Sequence, residues 1–550
     1  MIPSCGTILP ARSLHERKLG TAFHAASRRG SVLENTRRAA FLPGMNDTIA
    51  ALSTAFGEAA IAVLRLSGSR AVEIADAIFR SRKRAAAPTA RVVQFGSISD
   101  GDTRLDDVLL TVFRAPASYT GEDVVEISCH GGVLVLRRIL EVLLRAGARS
   151  AEPGEFTQRA FLNRKLDLTQ AEAVMDVISA QTDLALRAAN EQLEGRLGGR
   201  IRELRTAVLD TLAQVEAYLD FPAEDISPET GAALRGRMER ALADVGALLA
   251  TAGQGRVLRE GLRTVIFGAP NVGKSSLLNR LLGYERAIVS HHPGTKRDVL
   301  EETINVRGIP VRLMDTAGIR DSACELEQAG MERTRRAMER ADLVLHVADA
   351  SGDAALWSRQ SAISAKPQDD ADVLPRMTRM GTDEADAADA ADAADEADEA
   401  DEAGVPLKTI CAIREIRGSS LGSASRQCHI IVLNKCDLGI HASWAEHGGI
   451  AVSALTGEGF GKLCDAIVDA ALGGAAKGDW SVAINARHQA CLETARDFLN
   501  AAQEAFDQAL SPEFIAEELR AAMDAIGDIV GRADTEELLG VIFGQFCIGK

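Results

Sequence analysis

A glycine-rich loop that ends in lysine and serine lies near the middle of the sequence. Residues 268–275 read Gly-Ala-Pro-Asn-Val-Gly-Lys-Ser, which fits the pattern of Gly, four residues, then Gly-Lys-Ser/Thr. Such glycines let the backbone wrap around a phosphate group so that several N–H groups point inward. Lys274 can reach the β- and γ-phosphates, and the Ser275 hydroxyl can ligate Mg²⁺. The loop predicts a nucleotide site formed by Asn271, Val272, Gly273, Lys274, Ser275 and Ser276.

Three further motifs follow the loop in the order expected for recognition of guanine. Asp315-Thr316-Ala317-Gly318 can hold the water shell of Mg²⁺ and meet the γ-phosphate. In Asn434-Lys435-Cys436-Asp437, the Asp437 carboxylate can accept the N1–H and N2–H of guanine, a donor pair that adenine lacks. Ser453-Ala454 is suited to backbone contacts with guanine O6. The predicted ligand is therefore GTP or GDP rather than ATP.

Two residues refine the predicted hydrolysis. Ile319 stands directly after the Asp-Thr-Ala-Gly motif, where Ras-type enzymes carry a water-orienting glutamine. An apolar side chain cannot orient water, so we expect Glu327 to take this role. Asn271 either supplies an oxygen ligand for a monovalent cation or stabilises its loop by a hydrogen bond, and its spacing leaves both readings open.

Alternating strands and helices must position these motifs. Residues 264–267, 311–314, 343–348 and 430–433 are short apolar runs separated by helical patterns, which indicates a parallel sheet with crossover helices over residues 262–473. Before and after this part, residues 155–253 and 485–550 read as helices with apolar positions three or four residues apart. We therefore expect one helical domain into which an α/β domain is inserted.

The N-terminal part predicts a separate α+β domain. Residues 48–52, 61–66, 108–113 and 124–128 read as strands, and residues 132–146 as an amphipathic helix. Residues 1–44 are rich in arginine and poor in acids, which fits either an organelle transit peptide or a start assigned too early.

Composition excludes several classes of protein. The 550 residues are 46% hydrophobic and 25% charged, and no run approaches the ~18 apolar residues of a membrane span. The nine cysteines never form C-x-x-C, which argues against a disulfide framework or a zinc module. Much of the net charge of −16 lies in residues 383–403, inside a stretch (about 359–427) without apolar periodicity. We predict a disordered insertion there.

Motifs outside the α/β domain resemble those of one family. Residues 119–126, His130-Gly-Gly, residues 153–163 and residues 165–174 match the N-terminal region of the MnmE/TrmE family of tRNA-modification GTPases. Cys547-Ile-Gly-Lys550 matches the family's C-x-G-K. The resemblance extends from about residue 46 to residue 550, interrupted by the acidic insertion.

The resemblance implies a multidomain fold of α/β and α parts. Residues 1–44 are an extension, 45–163 a tetrahydrofolate-binding and dimerising domain, 164–261 and 474–550 a discontinuous helical domain, and 262–473 an inserted TrmE-type G domain with a Ras-like parallel sheet. It also implies a homodimer that forms a heterotetramer with an FAD-dependent MnmG/GidA-type protein. Together they would add a carboxymethylaminomethyl-type group to C5 of the wobble uridine of certain tRNAs, in a K⁺-stimulated, GTP-hydrolysing reaction. The one-carbon unit would come from 5,10-methylene- or 5-formyl-tetrahydrofolate.

The resemblance further assigns roles to residues that match the family's motifs. Those implied to bind folate are Arg65, Glu122, Lys165 and Lys550, and Cys547 would be a functional thiol. The implied K⁺ ligands are Asn271, Ser290, His292 (through its carbonyl) and Thr295, of which Ser290 and Thr295 also belong to the GTP site. Glu327 falls on the water-orienting position, in agreement with the argument from Ile319.

One departure from the family is serious. The switch reads Gly294-Thr295-Lys296-Arg297-Asp298, where the family has Thr at the position of Lys296, and an ammonium group cannot ligate Mg²⁺. The alternative function is therefore a regulatory GTP-binding switch with weak hydrolysis, acting on tRNA or the ribosome without folate chemistry. The expected location is the cytoplasm, or the mitochondrial matrix if residues 1–44 are a transit peptide.

Overall fold

The computed structural model describes residues 47–81, 91–220, 228–284, 302–314, 336–354, 414–416, 427–472, 483–531, 536–544 and 546–549. The chain divides into two compact units, Met1–Leu166 with Ala533–Lys550 and Asp167–Arg532. The domain bounds predicted from the sequence remain predictions. Several predicted features lie outside the described residues: the leader, most of the acidic insertion, Ser290, His292, Thr295, Lys296, residues 315–319, Glu327 and Lys550.

The first unit is built on a seven-stranded sheet. Its strands are β1 (Ile49–Leu52), β2 (Ala59–Ser67), β3 (Phe79–Arg80), β4 (Gln94–Asp100), β5 (Thr103–Phe113), β6 (Val124–Gly131) and β7 (Arg149–Ser150). They lie in the order β3-β4-β5-β6-β2-β1-β7, antiparallel except for the parallel pair β1–β7. Helices α1 (Ala71–Ile78) and α2 (Val133–Arg145) share one buried cluster with the strands, and α2 contributes Leu136, Ile139 and Leu143 at helical spacing.

Residues from the C-terminal part of the chain complete this unit. Helix α3 (Glu155–Leu162) contacts a helix at Glu536–Gly544, and Ile548 forms an antiparallel bridge with Pro153. At Gly154 the backbone has φ 69°, and a Cβ atom there would lie 2.6 Å from the carbonyl oxygen of Phe543. Gly549 has φ 98° and would place a Cβ atom 2.0 Å from the carbonyl oxygen of Leu52. Glycine is therefore required on both sides of this contact.

The second unit contains a helical part. Its helices are α4 (Leu168–Ser179), α5 (Asp183–Leu193), α6 (Arg196–Asp220), α7 (Pro228–Leu249), α8 (Ala252–Glu260) and, later in the chain, α11 (Ala486–Asp507) and α12 (Pro512–Val530). Helices α6, α7, α11 and α12 share one apolar core. The helical pattern over residues 170–189 is interrupted in the structure, because Thr182 accepts a hydrogen bond from the N–H of Ala185 and begins a new helix.

The inserted α/β part has a sheet of β8 (Leu262–Gly268), β9 (Glu302–Val306), β10 (Ile309–Met314), β11 (Leu343–Asp349), β12 (Arg414–Ile416), β13 (Gln427–Asn434) and β14 (Ile450–Ala451). The order is β12-β13-β11-β8-β10-β9, and β14 pairs with β13. The four predicted strands form its parallel centre, which confirms the expected fold class. The edge strands β9 and β12 are antiparallel to their neighbours. Helices α9 (Lys274–Tyr284) and α10 (Phe460–Leu472) also belong to this part.

Strand β12 lies within the predicted disordered insertion. Its three residues, Arg414–Ile416, pair with β13 through the backbone. Such pairing needs no apolar periodicity, so the pattern of side chains did not indicate it.

The chain passes twice between the helical part and the α/β part, after α8 and before α11. These two connections lie side by side, and both are bonded to α4. A Cβ atom on Gly255 in α8 would lie 2.3 Å from the carbonyl oxygen of Ile484. On one side Arg259 of α8 donates to Asp176 of α4 at 2.7 Å. On the other side Arg487 of α11 donates to Glu172 of α4 at 2.8 Å. Within the described ranges, no helix has the length and apolar character that a membrane span requires.

Candidate functional site

The glycine-rich loop connects β8 to α9, as the motif requires. Strand β8 ends at Gly268 and the helix begins at Lys274, so the N–H groups of the first helical turn are available to a phosphate. Asn271 and Gly273 have φ angles of 64° and 92°, and these left-handed conformations turn the loop back on itself. A Cβ atom on Gly273 would lie 2.2 Å from Nδ2 of Asn434, so this close approach requires glycine.

Lys274 is held inside the loop by backbone oxygens. Its Nζ donates to the carbonyls of Gly268 and Ala269 at 2.8 and 2.7 Å. Burial lowers the pKa of this ammonium group below its ordinary value. A phosphate oxygen would be a stronger acceptor than either carbonyl, so the arrangement favours exchange of these bonds for bonds to a nucleotide.

Asn434 joins the phosphate loop to the base-recognition loop. Its side chain is 2% exposed and lies at the end of β13. Nδ2 donates to the carbonyl of Val272 at 2.9 Å, and Oδ1 accepts the N–H of Ala454 at 3.0 Å. One amide thus holds three of the four predicted nucleotide motifs together, because Lys435 and Asp437 continue from the same strand.

The predicted base end of the site combines an exposed carboxylate with a hydrogen-bonded loop. Asp437 is exposed in a short 3₁₀ turn, Cys436–Leu438, directly after β13. Ser453 is fully buried, and its hydroxyl accepts the N–H of Thr456 at 3.1 Å. Arg280 of α9 donates to the carbonyls of Leu455 and Thr456, each at 3.2 Å. The helix that starts at the phosphate loop therefore also supports the base loop.

The groups expected to hold cations are only partly described. Ser275 is half-buried in the first turn of α9, whereas Asn271 and Ser276 are exposed. Ser290, His292, Thr295, Asp315, Thr316, Ala317, Gly318 and Glu327 lie outside the described residues. Over the part of the chain that the structure describes, no group of three or more His, Cys, Asp or Glu side chains is placed to hold a metal ion.

In the first unit, Arg65 is fixed by a carboxylate and two rings. Its Nε and Nη2 donate to Oε1 of Glu126 at 3.0 and 2.8 Å. The guanidinium carbon lies 5.3 Å from the ring centre of Tyr119 and 5.7 Å from that of Phe156. These contacts hold a cation at the end of β2 in one orientation.

Glu122 belongs to a buried ionic network. It accepts the hydroxyl of Ser67 at 2.7 Å and Nη1 of Arg159 at 3.2 Å. Arg159 is 5% exposed and also donates to Asp47 and Glu155. Burial disfavours the charged guanidinium, but the three carboxylates outweigh this effect and raise the pKa of Arg159.

Lys165 and Glu122 lie at one loop. Nζ of Lys165 donates to the carbonyl of Pro116 at 3.1 Å, and a Cβ atom on Gly121 would lie 3.3 Å from its Cγ. Tyr119, which contacts Arg65, belongs to the same loop. The structure therefore brings Arg65, Glu122 and Lys165 to residues 114–123.

Cys547 is exposed and lies in the same unit. Its carbonyl accepts the N–H of Gly154 at 3.5 Å, in the contact that Ile548 and Gly549 continue. The backbone of this segment is thus held while the thiol faces solvent.

Sequence reasoning missed the residues that orient the predicted ligands of this unit. Arg159, Glu155 and Asp47 form its buried network, and Glu126 holds Arg65. A signal for part of this was present, since Glu155 and Arg159 stand four residues apart within a matched motif. Asp47 offered none, because its contact with Arg159 spans 112 residues.

Comparisons with known proteins agree with this architecture. A family model described as the MnmE helical domain matches residues 168–547, and one described as the GTP-binding protein TrmE N-terminus matches residues 48–165. Curated relatives named "tRNA modification GTPase MnmE" occur in Akkermansia muciniphila (46% identical, covering 92% of this chain and 99% of the relative), Geobacillus kaustophilus (41%, 92% and 99%) and Aquifex aeolicus (39%, 92% and 100%). The chain belongs to the MnmE/TrmE family of tRNA modification GTPases.

Proposed function

We propose that this protein is a K⁺-stimulated GTPase that acts with an FAD-dependent MnmG/GidA-type partner. Together they add a carboxymethylaminomethyl-type group to C5 of the wobble uridine of certain tRNAs. The observation that carries the nucleotide part is the Asn434 amide, which joins the phosphate loop at Val272 to the base loop at Ala454. Membership of the family supports the tRNA part.

In the proposed hydrolysis, water attacks the γ-phosphate of GTP. Lys274 and the N–H groups of the loop stabilise the charge that develops on the phosphate oxygens. Glu327 orients the attacking water. Mg²⁺, held through the Ser275 hydroxyl, and K⁺, held by Asn271, Ser290, His292 and Thr295, would supply further positive charge when bound.

The test is GTP turnover by the purified full-length protein in KCl and in NaCl. We expect faster turnover in KCl, and Glu327→Ala should reduce kcat at least ~100-fold, as expected on loss of a positioned acid–base group. The affinity for GDP should not change. Glu325→Ala, which removes a neighbouring carboxylate, is the matched control. Equal turnover by the two variants would contradict the role of Glu327.

Lys296 favours a second candidate, a GTP-binding switch with weak hydrolysis. An ammonium group at this position cannot replace the hydroxyl that the family uses for Mg²⁺. Negligible wild-type turnover that Lys296→Thr restores would support the switch. Rapid wild-type turnover would reject it.

We also propose that the first unit binds 5,10-methylene- or 5-formyl-tetrahydrofolate. Arg65 and Lys165 are cations suited to a glutamyl carboxylate, and Glu122 is an acceptor suited to the N–H groups of a pterin. Lys550 and the Cys547 thiol complete the proposed set. Lys165 is the most direct probe, because it is exposed and its Nζ donates to the carbonyl of Pro116.

Calorimetry of 5-formyl-tetrahydrofolate binding tests this assignment. Lys165→Met should weaken binding about tenfold or more, the loss expected for a hydrogen bond between charged groups. Arg164→Met removes a neighbouring exposed cation and should bind like wild type. If the two variants bind alike, Lys165 does not contact the folate.

The proposed assembly is a homodimer through residues 45–163 that joins its partner in a heterotetramer. Light scattering of the protein alone and mixed with an MnmG/GidA-type protein would test both states. We propose a cytoplasmic location, or the mitochondrial matrix if residues 1–44 are a cleaved transit peptide. The N-terminal sequence of protein isolated from its own cells distinguishes the two.

A further inference from the structure

Two parallel strands end beside each other at the base end of the nucleotide site. Asp349 is the last residue of β11 and pairs in register with Asn434, the last residue of β13. The N–H of Ala350 donates to the carbonyl of Asn434 at 2.7 Å, which continues the pairing past both strand ends. Lys435 therefore leaves its strand next to the carboxylate of Asp349.

Lys435 is constrained at both ends. Its backbone is left-handed, with φ 64° and ψ 33°, which directs the side chain away from the path of the strand. At the far end, Nζ donates to Oδ2 of Asp349 at 2.7 Å. The side chains remain 34% and 30% exposed, so a ligand can still reach them.

The carboxylate of Asp349 is itself held in place. Its Oδ1 accepts the hydroxyl of Ser351 at 2.6 Å and the N–H of Ser351 at 3.1 Å. One oxygen thus fixes the turn after β11 while the other holds Lys435. Burial alone would raise the pKa of Asp349, but the bonds from Lys435 and Ser351 outweigh it and keep the pKa below its usual range.

We propose that Asp349 is a positioning residue for guanine-nucleotide binding, which it serves by holding Lys435 in one side-chain conformation. The inference rests on the proposed GTPase function and deepens it. A lysine stem carries apolar surface against which the face of a purine can pack while its ammonium group stays hydrated or paired. Asp349 orders this stem before the nucleotide binds. The entropy cost of ordering the lysine side chain is therefore not subtracted from the free energy of nucleotide binding.

The test is binding of fluorescent GDP and IDP to the full-length protein. Asp349→Asn keeps an oxygen for Ser351 but removes the charge opposite Lys435. We expect the Kd of GDP to rise about fivefold, the factor that corresponds to loss of a half-exposed ion pair. The Kd of IDP should rise by the same factor. Hypoxanthine differs from guanine only at the N2 amino group, which faces Asp437 in the proposed site.

A double-mutant cycle shows whether Asp349 acts through Lys435. In a Lys435→Met background, Asp349→Asn should have no further effect on the Kd. Lys435→Arg, which can keep the ion pair, should lose less affinity than Lys435→Met. Asp469→Asn removes an exposed carboxylate on α10 of the same domain and is the matched control.

The outcomes separate this inference from the function on which it rests. Wild-type protein that binds no GDP would overturn the proposed GTPase function and this inference with it. Wild-type binding that Asp349→Asn leaves unchanged would overturn the inference alone. The inference would also be overturned if the effects of Asp349→Asn and Lys435→Met on the Kd were fully additive. The same holds if Asp349→Asn weakened the binding of GDP but not that of IDP. Thermal unfolding of each variant shows whether it is folded. If Asp349→Asn does not fold, the comparison of Lys435→Arg with Lys435→Met tests the inference, and equal loss of affinity in the two would overturn it.

Discussion

At the scale of single residues, Asn434 and Asp437 lie in different surroundings although they stand three positions apart. The Asn434 amide is buried and its bonds are internal, to Val272 and Ala454. The Asp437 carboxylate is exposed in the turn directly after β13, where we propose that it meets the base. The first shapes the site and the second is available to select the ligand.

Asp437→Asn should therefore change the preferred base. An amide offers one acceptor for N1–H, but its NH₂ group opposes the N2 amino group of guanine and complements the C2 carbonyl of xanthine. We expect GDP affinity to fall by about 10- to 100-fold, the range for bonds to a charged group, and XDP affinity to rise. Competition binding of the two nucleotides measures both changes.

The control for this prediction is Asp469→Asn, which alters the formal charge of the domain equally. Wild-type base preference in Asp437→Asn would show that the carboxylate does not contact the base. An equal loss of affinity for GDP and for XDP would indicate damage to the loop rather than altered base recognition.

At the scale of elements, two neighbouring strands carry a partly buried histidine pair. Nε2 of His346 in β11 lies 2.9 Å from Nδ1 of His429 in β13, and the rings stack. The ring of Phe267 in β8 meets His346 edge-on at 5.6 Å. Burial lowers the pKa of His346 from 6.5 to about 4, and the neighbouring His429 acts in the same direction.

This pair predicts acid sensitivity of the α/β part. The unfolded chain takes up the proton near pH 6.5 and the folded chain only near pH 4, so the free energy of unfolding decreases as pH falls through this window. The loss at pH 5 should be about 2 kcal/mol relative to pH 7.5. Urea unfolding at the two pH values measures it.

His346→Gln should remove most of this pH dependence, whereas His447→Gln, at a half-buried position in the same domain, should keep it. If His346→Gln and wild type lose stability in parallel between pH 7.5 and 5, the pair does not control the acid response.

The contact between α3 and the C-terminal helix gives a second prediction at this scale. Gly154→Ala places a methyl group against the carbonyl of Phe543 at a left-handed position. We expect loss of about 2 kcal/mol or more of stability from strain and displacement of the helix. Thermal unfolding and limited proteolysis near residues 536–549 should both report it.

Gly132→Ala is the matched control, because a Cβ atom there meets only Val135 at ordinary contact distances. A Gly154→Ala protein as stable and as protease-resistant as this control would mean that the C-terminal segment is not held at Gly154.

At the scale of the whole molecule, the second unit depends on one face of α4. Glu172 accepts bonds from Asn485 and Arg487, and Nε2 of His488 lies 2.7 Å from its Oε2. Burial would raise the pKa of Glu172, but His488 and Arg487 outweigh it and lower the pKa to about 2. His488 is fully buried, and burial lowers its pKa although the neighbouring Glu172 acts in the opposite direction. One helical turn away, Asp176 holds Arg259.

Glu172→Gln should destabilise the unit by about 3 kcal/mol, because it leaves Arg487 partly buried without its charge partner. Thermal unfolding measures the loss, and Glu203→Gln on the exposed face of α6 is the control. GDP affinity should stay at the wild-type value, since Glu172 lies outside the nucleotide site. Equal unfolding temperatures of the two variants would contradict this prediction.

Local patterns in the sequence were sufficient to predict the central strands and the placement of the glycine-rich loop between a strand and a helix. These features depend only on residues that are close in sequence. They are the apolar run Thr264–Phe267, the spacing of Gly268 and Gly273, and the position of Asn434 after an apolar strand. The helix break before Asp183 was missed, because a threonine cap interrupts a helix without glycine or proline.

Contacts between distant residues could not be predicted in this way. The Ser53 hydroxyl donates to the carbonyl of Gly549 across 496 residues, and Lys435 meets Asp349 across 86. Neither contact produces a periodic pattern in the sequence, because each depends on where whole strands lie in the folded protein. These contacts lie at the candidate sites, so the sequence pointed to candidate binding residues but not to the residues that hold them in place.

The C-terminal contact also has a consequence for synthesis of the protein. Residues 536–549 pack on Gly154 and β1, yet the ribosome makes them only after residues 167–532. At ~5–20 residues per second, that interval lasts roughly 20–70 s. During this time the newly made residues 47–166 lack the segment that covers Leu52 and Pro153. A nascent chain therefore carries an incomplete first unit, which a chaperone can bind, until its last-made helix arrives.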